Sequence, residues 1–135
     1  MSLQPVTHTE DFSDSLFAAT GVKSIPADGY VLADDVTGVV QRGQALKHNI
    51  AVDEEGATSI ANPRELIPVT DATDQVVAIL AETVNTAETK AIAVYEEGEF
   101  NRYKVIFADD LTYADFEVAA RMKGIYFKDV VQWVD

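Results

Sequence analysis

The sequence contains no cysteine. That single absence excludes a disulfide framework, a thiolate zinc site and a cysteine nucleophile. Its seven glycines stand singly along the chain, so there is no glycine-rich loop to cradle a phosphate. The longest unbroken apolar run, VVAILA at 76–81, is too short to cross a bilayer as a helix. The opening residues MSLQPVTHTEDF have neither a basic start nor an apolar block, and no secretory signal is expected there. Basic residues are scarce, ten Lys and Arg against 23 Asp and Glu, for a net charge of −13. A surface of that sign is repelled by nucleic-acid phosphates and by anionic membranes, so neither is expected as a direct partner. The charge runs −3 over residues 1–30, −5 over 31–75 and −5 over 76–135. That even spread describes a solvated surface that keeps the protein soluble, not an acidic tail.

What is present suits a globular protein. With 135 residues, 47% of them hydrophobic, the chain is long enough for one domain with a core of its own. Residues 1–28 read as an extended N-terminal arm, with spaced apolar anchors (Val6, Phe12, Leu16, Phe17, Val22, Ile25) among Thr, Ser and Asp and no sustained period. From residue 29 to 135 the signals are those of a β-rich domain. Tyr30-Val31-Leu32 stops at Asp34-Asp35, and Arg42-Gly43 makes a turn between two apolar pairs. Ile50-Ala51-Val52 ends at the turn-forming Asp53-Glu54-Glu55-Gly56. Leu66 to Val69 is expected as an edge or entry strand, because Pro68 donates no hydrogen bond. The strongest strands are 76–81 and 91–95, within QVVAILAETVN and KAIAVYEEGEFN. Tyr103, Val105 and Phe107 alternate as a half-buried strand would. One helix is expected after Thr112, which with Asp115 spaces a capping box; it ends at Lys123-Gly124, with Ile125 folding back. The predicted fold is mainly β with one or two short helices, a small irregular β-barrel or sandwich carrying the arm.

Catalytic chemistry finds little footing. Neither His8 nor His48 has a partner at metal-ligand spacing. Asp53-Glu54-Glu55-Gly56 and Asp109-Asp110 lack the alternating oxygen ligands of a calcium loop. Lys47 lies between β halves that do not match, unlike the lysine of a biotin- or lipoate-carrying domain, and reads as a plain strand lysine. The serines at 2, 13, 15, 24 and 59 sit in no nucleophile elbow. No metal, cofactor or catalytic residue is expected, and the chain reads as a non-enzyme used in a reducing cytoplasm.

Over residues 32–128 the chain resembles the head decoration proteins of lambda-like bacteriophages. The likeness lies in VLADDVTGVVQRGQALKHN (31–49) and in IPVTDATDQVVAILAETVNTAETKAIAVYEEGEFN (67–101). In the second segment a polar stretch leads into AILAE, and a second apolar strand ends at a glycine turn. The helix finishing at Lys123-Gly124-Ile125 completes the set. The chain departs from the family in having Ala78 before Ile-Leu and Glu97 before Gly98. The resemblance implies a homotrimer on the outer surface of the expanded phage head, made in the bacterial host cytoplasm. It would clamp the major capsid protein against the pressure of packaged DNA. It also implies that the arm adds a strand to the capsid protein, with Val6, Phe12, Leu16 and Phe17 as anchors. The apolar tail, with Phe127, Val131 and Trp133, reads as docking on the core or on a neighbour, and the resemblance implies that it lies at the trimer interface. On that reading, removing residues 1–25 should leave the domain folded. Another phage structural role (a head-fibre base or tail protein) and a small-ligand binding module are the alternatives.

Overall fold

The structure is a computed structural model that describes residue 16 and residues 26–128, the first three of the latter by backbone alone. Among these residues the fold is mainly β, as the sequence predicts. Its strands are β1 (Pro26–Leu32), β2 (Val39–Val40), β3 (Ala45–His48), β4 (Ile50–Val52), β5 (Thr58–Ile60) and β6 (Glu65–Pro68). They continue with β7 (Ala78–Leu80), β8 (Val84–Asn85), β9 (Ala91–Tyr95), β10 (Gly98–Asn101) and β11 (Ile125–Lys128). A 3-10 turn at Tyr113–Asp115 leads into one short helix, α1 (Glu117–Arg121).

Five strands close into a barrel in the order β1-β6-β3-β7-β9. β1 runs parallel to β6 and antiparallel to β9, so the ends of the sheet meet at β1. Leu32, Leu66, Leu46, Ala78, Leu80, Ile92 and Val94 form one apolar cluster. Each of the five barrel strands supplies at least one of them, which identifies the cluster as the barrel interior. Ala45 and Ile79, one residue out of step, belong to a second cluster with Phe100, Phe116, Ala120, Ile125 and Phe127. β3 and β7 are therefore covered on both faces. That is why 76–81 is an unbroken apolar run and not an alternating one.

The second cluster lies under the parallel pair β10–β11, in register from Gly98↔Ile125 to Asn101↔Lys128. Parallel strands need a crossover, and residues 102–124 supply it with α1. Phe116 and Ala120, one turn apart, face inward and are buried. Phe107 stacks on Phe116 at 5.0 Å and meets Phe127 edge-on at 5.8 Å.

Several local expectations change. β6 lies inside the barrel, not at an edge, because Pro68 is its last residue. The parallel ladder runs from Val31 N–H to the Arg64 carbonyl and from Ala33 N–H to the Leu66 carbonyl. The next donor would be residue 68, which as proline has none. The Ala33 carbonyl instead accepts from the Val36 N–H at 3.0 Å and from Lys90 Nζ at 3.3 Å. Residues 103–107 form no strand. The Asn101 side chain accepts from Tyr103 N–H at 3.0 Å, and its carbonyl accepts from the Lys104 and Val105 N–H groups. This side-chain bond turns the chain before the alternating residues can pair, leaving only a bridge between Ile106 and Gln44. Gly98, expected in a connection, opens β10. The start of the helix follows the expectation in part: Thr112 N–H donates to Asp115 Oδ2 at 2.9 Å. A 3-10 turn precedes a shorter helix than expected, and Ile125, buried in one cluster with Phe116 and Ala120, opens β11. The barrel also starts at Pro26, three residues before the expected boundary.

Candidate interaction surfaces

Among the described residues weighed for chemistry, several are engaged by local structure. Lys47 lies within β3 and pairs with Asp74 at 2.7 Å, both side chains mostly buried. Burial opposes ionisation of Asp74, but bonds from Lys47 and from the Thr70 and Asp71 N–H groups outweigh it and lower its pKa. Asp71 is lowered by the backbone and hydroxyl of Thr73. Together Asp71 and Asp74 tie the 70–74 turn to β3. The pKa of His48 is lowered by burial first and by the nearby Lys123 ammonium second. Its Nδ1 is enclosed with no hydrogen-bond partner. His8 lies outside the described residues. Among those described, no three His, Asp or Glu side chains converge to hold a metal ion, and Asp109-Asp110 form an exposed turn.

An open groove of about 520 Å³ is lined by Arg102, Tyr103, Ile106, Phe107, Leu111 and Tyr113 among others. The Arg102 guanidinium lies 4.8 Å from the Tyr103 ring centre and 4.6 Å from that of Tyr113. It also donates to both phenolic oxygens. The arrangement is a rigid cationic shelf between two aromatic rings.

Of the residues expected on the arm, Leu16 is only 4% exposed and belongs to the second core cluster. Its carbonyl accepts from Asn101 N–H at 2.7 Å. The seat is tight. A Cβ built on Gly43 would stand 2.8 Å from the Lys104 carbonyl oxygen and 3.4 Å from Leu16 Cδ1. Gly43 also has φ +100°, a conformation that favours glycine. Leu16 thus fastens the chain to the seam between the 42–43 turn and residues 101–104. Val6, Phe12 and Phe17 lie outside the described residues. Of the residues expected at a trimer interface, Phe127 is 5% exposed and packs into its own chain's core. Val131 and Trp133 lie outside the described residues.

Two exposed apolar features were not singled out from the sequence. Val118 on α1 and Met122, which caps the helix at its C-terminal end, lie four residues apart, and both are exposed, Met122 by 83%. Their i, i+4 spacing was readable, but nothing in a five-residue helix says which face looks outward. The other feature is the β4–β5 ribbon, every residue of which is exposed. Ile50 pairs with Ile60 and Val52 with Thr58, so these four side chains share one face. The alternation of Ile50 and Val52 was visible, but it is the usual mark of a half-buried strand. Compared with protein-family models and with curated proteins, the chain matches none.

Proposed function

We propose that this protein is a phage head decoration protein: non-enzymatic, trimeric, and bound to the major capsid protein on the outer surface of the expanded head. The observation that carries the reading is where the family-like segments lie in the fold. Residues 31–49 and 67–101 contain β2, β3, β7, β8 and β9; the second segment begins in the last two residues of β6 and ends with β10. The stretch finishing at Lys123-Gly124-Ile125 supplies the crossover to β11. That placement supports the reading, because the segments that carry the resemblance include the core strands β3, β7 and β9. An acidic exterior keeps a particle bearing many copies soluble. Self-association then has an apolar face in Val118 and Met122, since Phe127 is used within its own chain.

Leu16 alters the design of the test. Removing residues 1–25 would strip a core side chain along with the arm, so the informative truncation removes residues 1–15 and keeps Leu16. The full chain is expected to bind purified expanded heads in preference to unexpanded ones. The shortened chain is expected to keep its thermal melt and lose most of that binding. Full binding by the folded truncation removes the arm from the mechanism, and failure of the full chain to bind expanded heads overturns the reading. The groove beside Arg102 favours a second reading, a small-ligand module. A melting shift with a metabolite, and no head binding, would select it.

A further inference from the structure

The β4–β5 ribbon is tied by hydrogen bonds at both ends, yet every residue of its two strands is exposed. At its base Asn49 N–H donates to the Glu65 carbonyl at 3.3 Å, and Asn49 Nδ2 donates to Glu65 Oε1 at 2.7 Å. At its tip Asp53 Oδ1 accepts from the N–H groups of Glu55 and Ala57 at 3.0 and 2.8 Å. Asp53 N–H in turn donates to the Ala57 carbonyl. Gly56 takes the left-handed conformation, φ +84°, that this turn requires. Both ends therefore hold one register and one orientation. Between them Ile50, Val52 and Ile60 present β-branched aliphatic side chains on one face, with Val52 66% exposed. A two-stranded ribbon is marginal in water without packing on a face, and a grouped apolar face marks a surface for another molecule.

Charge identifies the kind of molecule. Residues 49–63 contain Asp53, Glu54 and Glu55 and no cationic residue. A second copy of this chain, itself at −13, would bring a further acidic surface to an acidic tip. A protein surface with an apolar patch flanked by Lys or Arg is complementary in both respects. We infer that the β4–β5 ribbon is a second docking element, separate from the arm, which seats Ile50, Val52 and Ile60 on an apolar patch of a basic protein surface. This rests on the decoration reading, under which that surface belongs to the capsid protein.

The test is binding of the full chain to purified expanded heads, measured across a salt series. Two variants are compared, Ile50→Thr/Val52→Thr/Ile60→Thr and Glu54→Lys/Glu55→Lys. The sites are exposed and threonine keeps the β preference, so both variants are expected to melt as the parent does, which is checked first. The threonine variant is expected to bind about tenfold more weakly or worse, as for loss of a central apolar anchor. The charge variant is expected to bind several-fold more weakly at low salt and to lose part of its salt dependence. The inference stands only if both weaken. Parent-like binding by either variant overturns it and leaves the decoration reading intact. Unchanged head binding, with a fall in self-association by sedimentation, overturns it in favour of a second copy as the occupant. Failure of the parent chain itself to bind overturns both.

Discussion

Leu16 shows how one residue can join two parts of a chain. Its side chain fills a site bounded by Gly43 and residues 101–104, so the arm and the domain share it. Leu16→Ala removes a buried branched side chain and is expected to cost about 2–4 kcal/mol of stability. Denaturant unfolding will measure this, and a change below about 0.5 kcal/mol would deny Leu16 a core role. His48 acts at the same scale through protonation. Its folded-state pKa lies below the ordinary value, with burial as the main cause. The stabilisation from keeping it neutral is therefore complete above about pH 6.5 and is lost as pH falls through the folded value. Asp71 and Asp74 are also lowered, so their contribution persists until pH falls below about 4. Stability should decline in two stages on acidification. His48→Gln should remove the upper stage and leave the lower, and a melting profile identical to the parent's between about pH 5 and 7 would count against the assignment.

At the scale of elements, the junction of β1 and β6 depends on a group from outside both strands. Pro68 ends their parallel ladder, and Lys90 then donates to the carbonyls of Ala33 at 3.3 Å, Asp34 at 3.1 Å and Val36. One ammonium thus gathers the turn after β1 and holds it beside the start of β9. Lys90→Met keeps the aliphatic stem and removes all the donors. The expected loss is about 1.5–3 kcal/mol, the range for hydrogen bonds to a charged group. Thermal unfolding of the variant checks this, and hydrogen exchange at Val36 should quicken, because its amide bonds back to Ala33 within the same turn. Unaltered exchange there would show that the turn holds without the lysine.

At the scale of the whole molecule, the barrel must fold against its own charge of −13. Salt screens repulsion between exposed charges, whereas the mostly buried Lys47–Asp74 bridge is screened much less. The melting temperature should therefore rise from about 0.01 M to about 0.5 M salt. A fall would mean that attractive surface pairs outweigh the net repulsion. The same charge sets the conditions for assembly. If copies meet through Val118 and Met122 as proposed, they must overcome repulsion, so self-association should strengthen with salt, while the proposed docking through the acidic ribbon tip should weaken.

Features that depend on a few neighbouring residues were readable in advance. The 53–56 turn rests on Asp and Gly chemistry, the Thr112–Asp115 cap on a three-residue spacing, and β9 on an unbroken apolar strand. The pairing of 76–81 with 91–95 follows from their nearness in the chain, and β7 and β9 do lie side by side. The errors came where distant segments compete for the same groups. Pro68 was read as part of an edge or entry strand because its missing N–H is local knowledge, whereas Lys90, which donates to the Ala33 carbonyl, lies 22 residues further on. The alternation at 103–107 was genuine, but an Asn101 side-chain bond turned the backbone first. Leu16 and Phe127 read as apolar anchors whose covering surface was open, because an apolar side chain carries no record of which surface will cover it; here both are buried in this chain's own core. Local chemistry and hydrophobic period specify a β-rich chain and its turns. Barrel closure, the two-sided burial of β3 and β7, and the exposure of the β4–β5 face depend on contacts between residues far apart in sequence, and those are set only when the chain has folded.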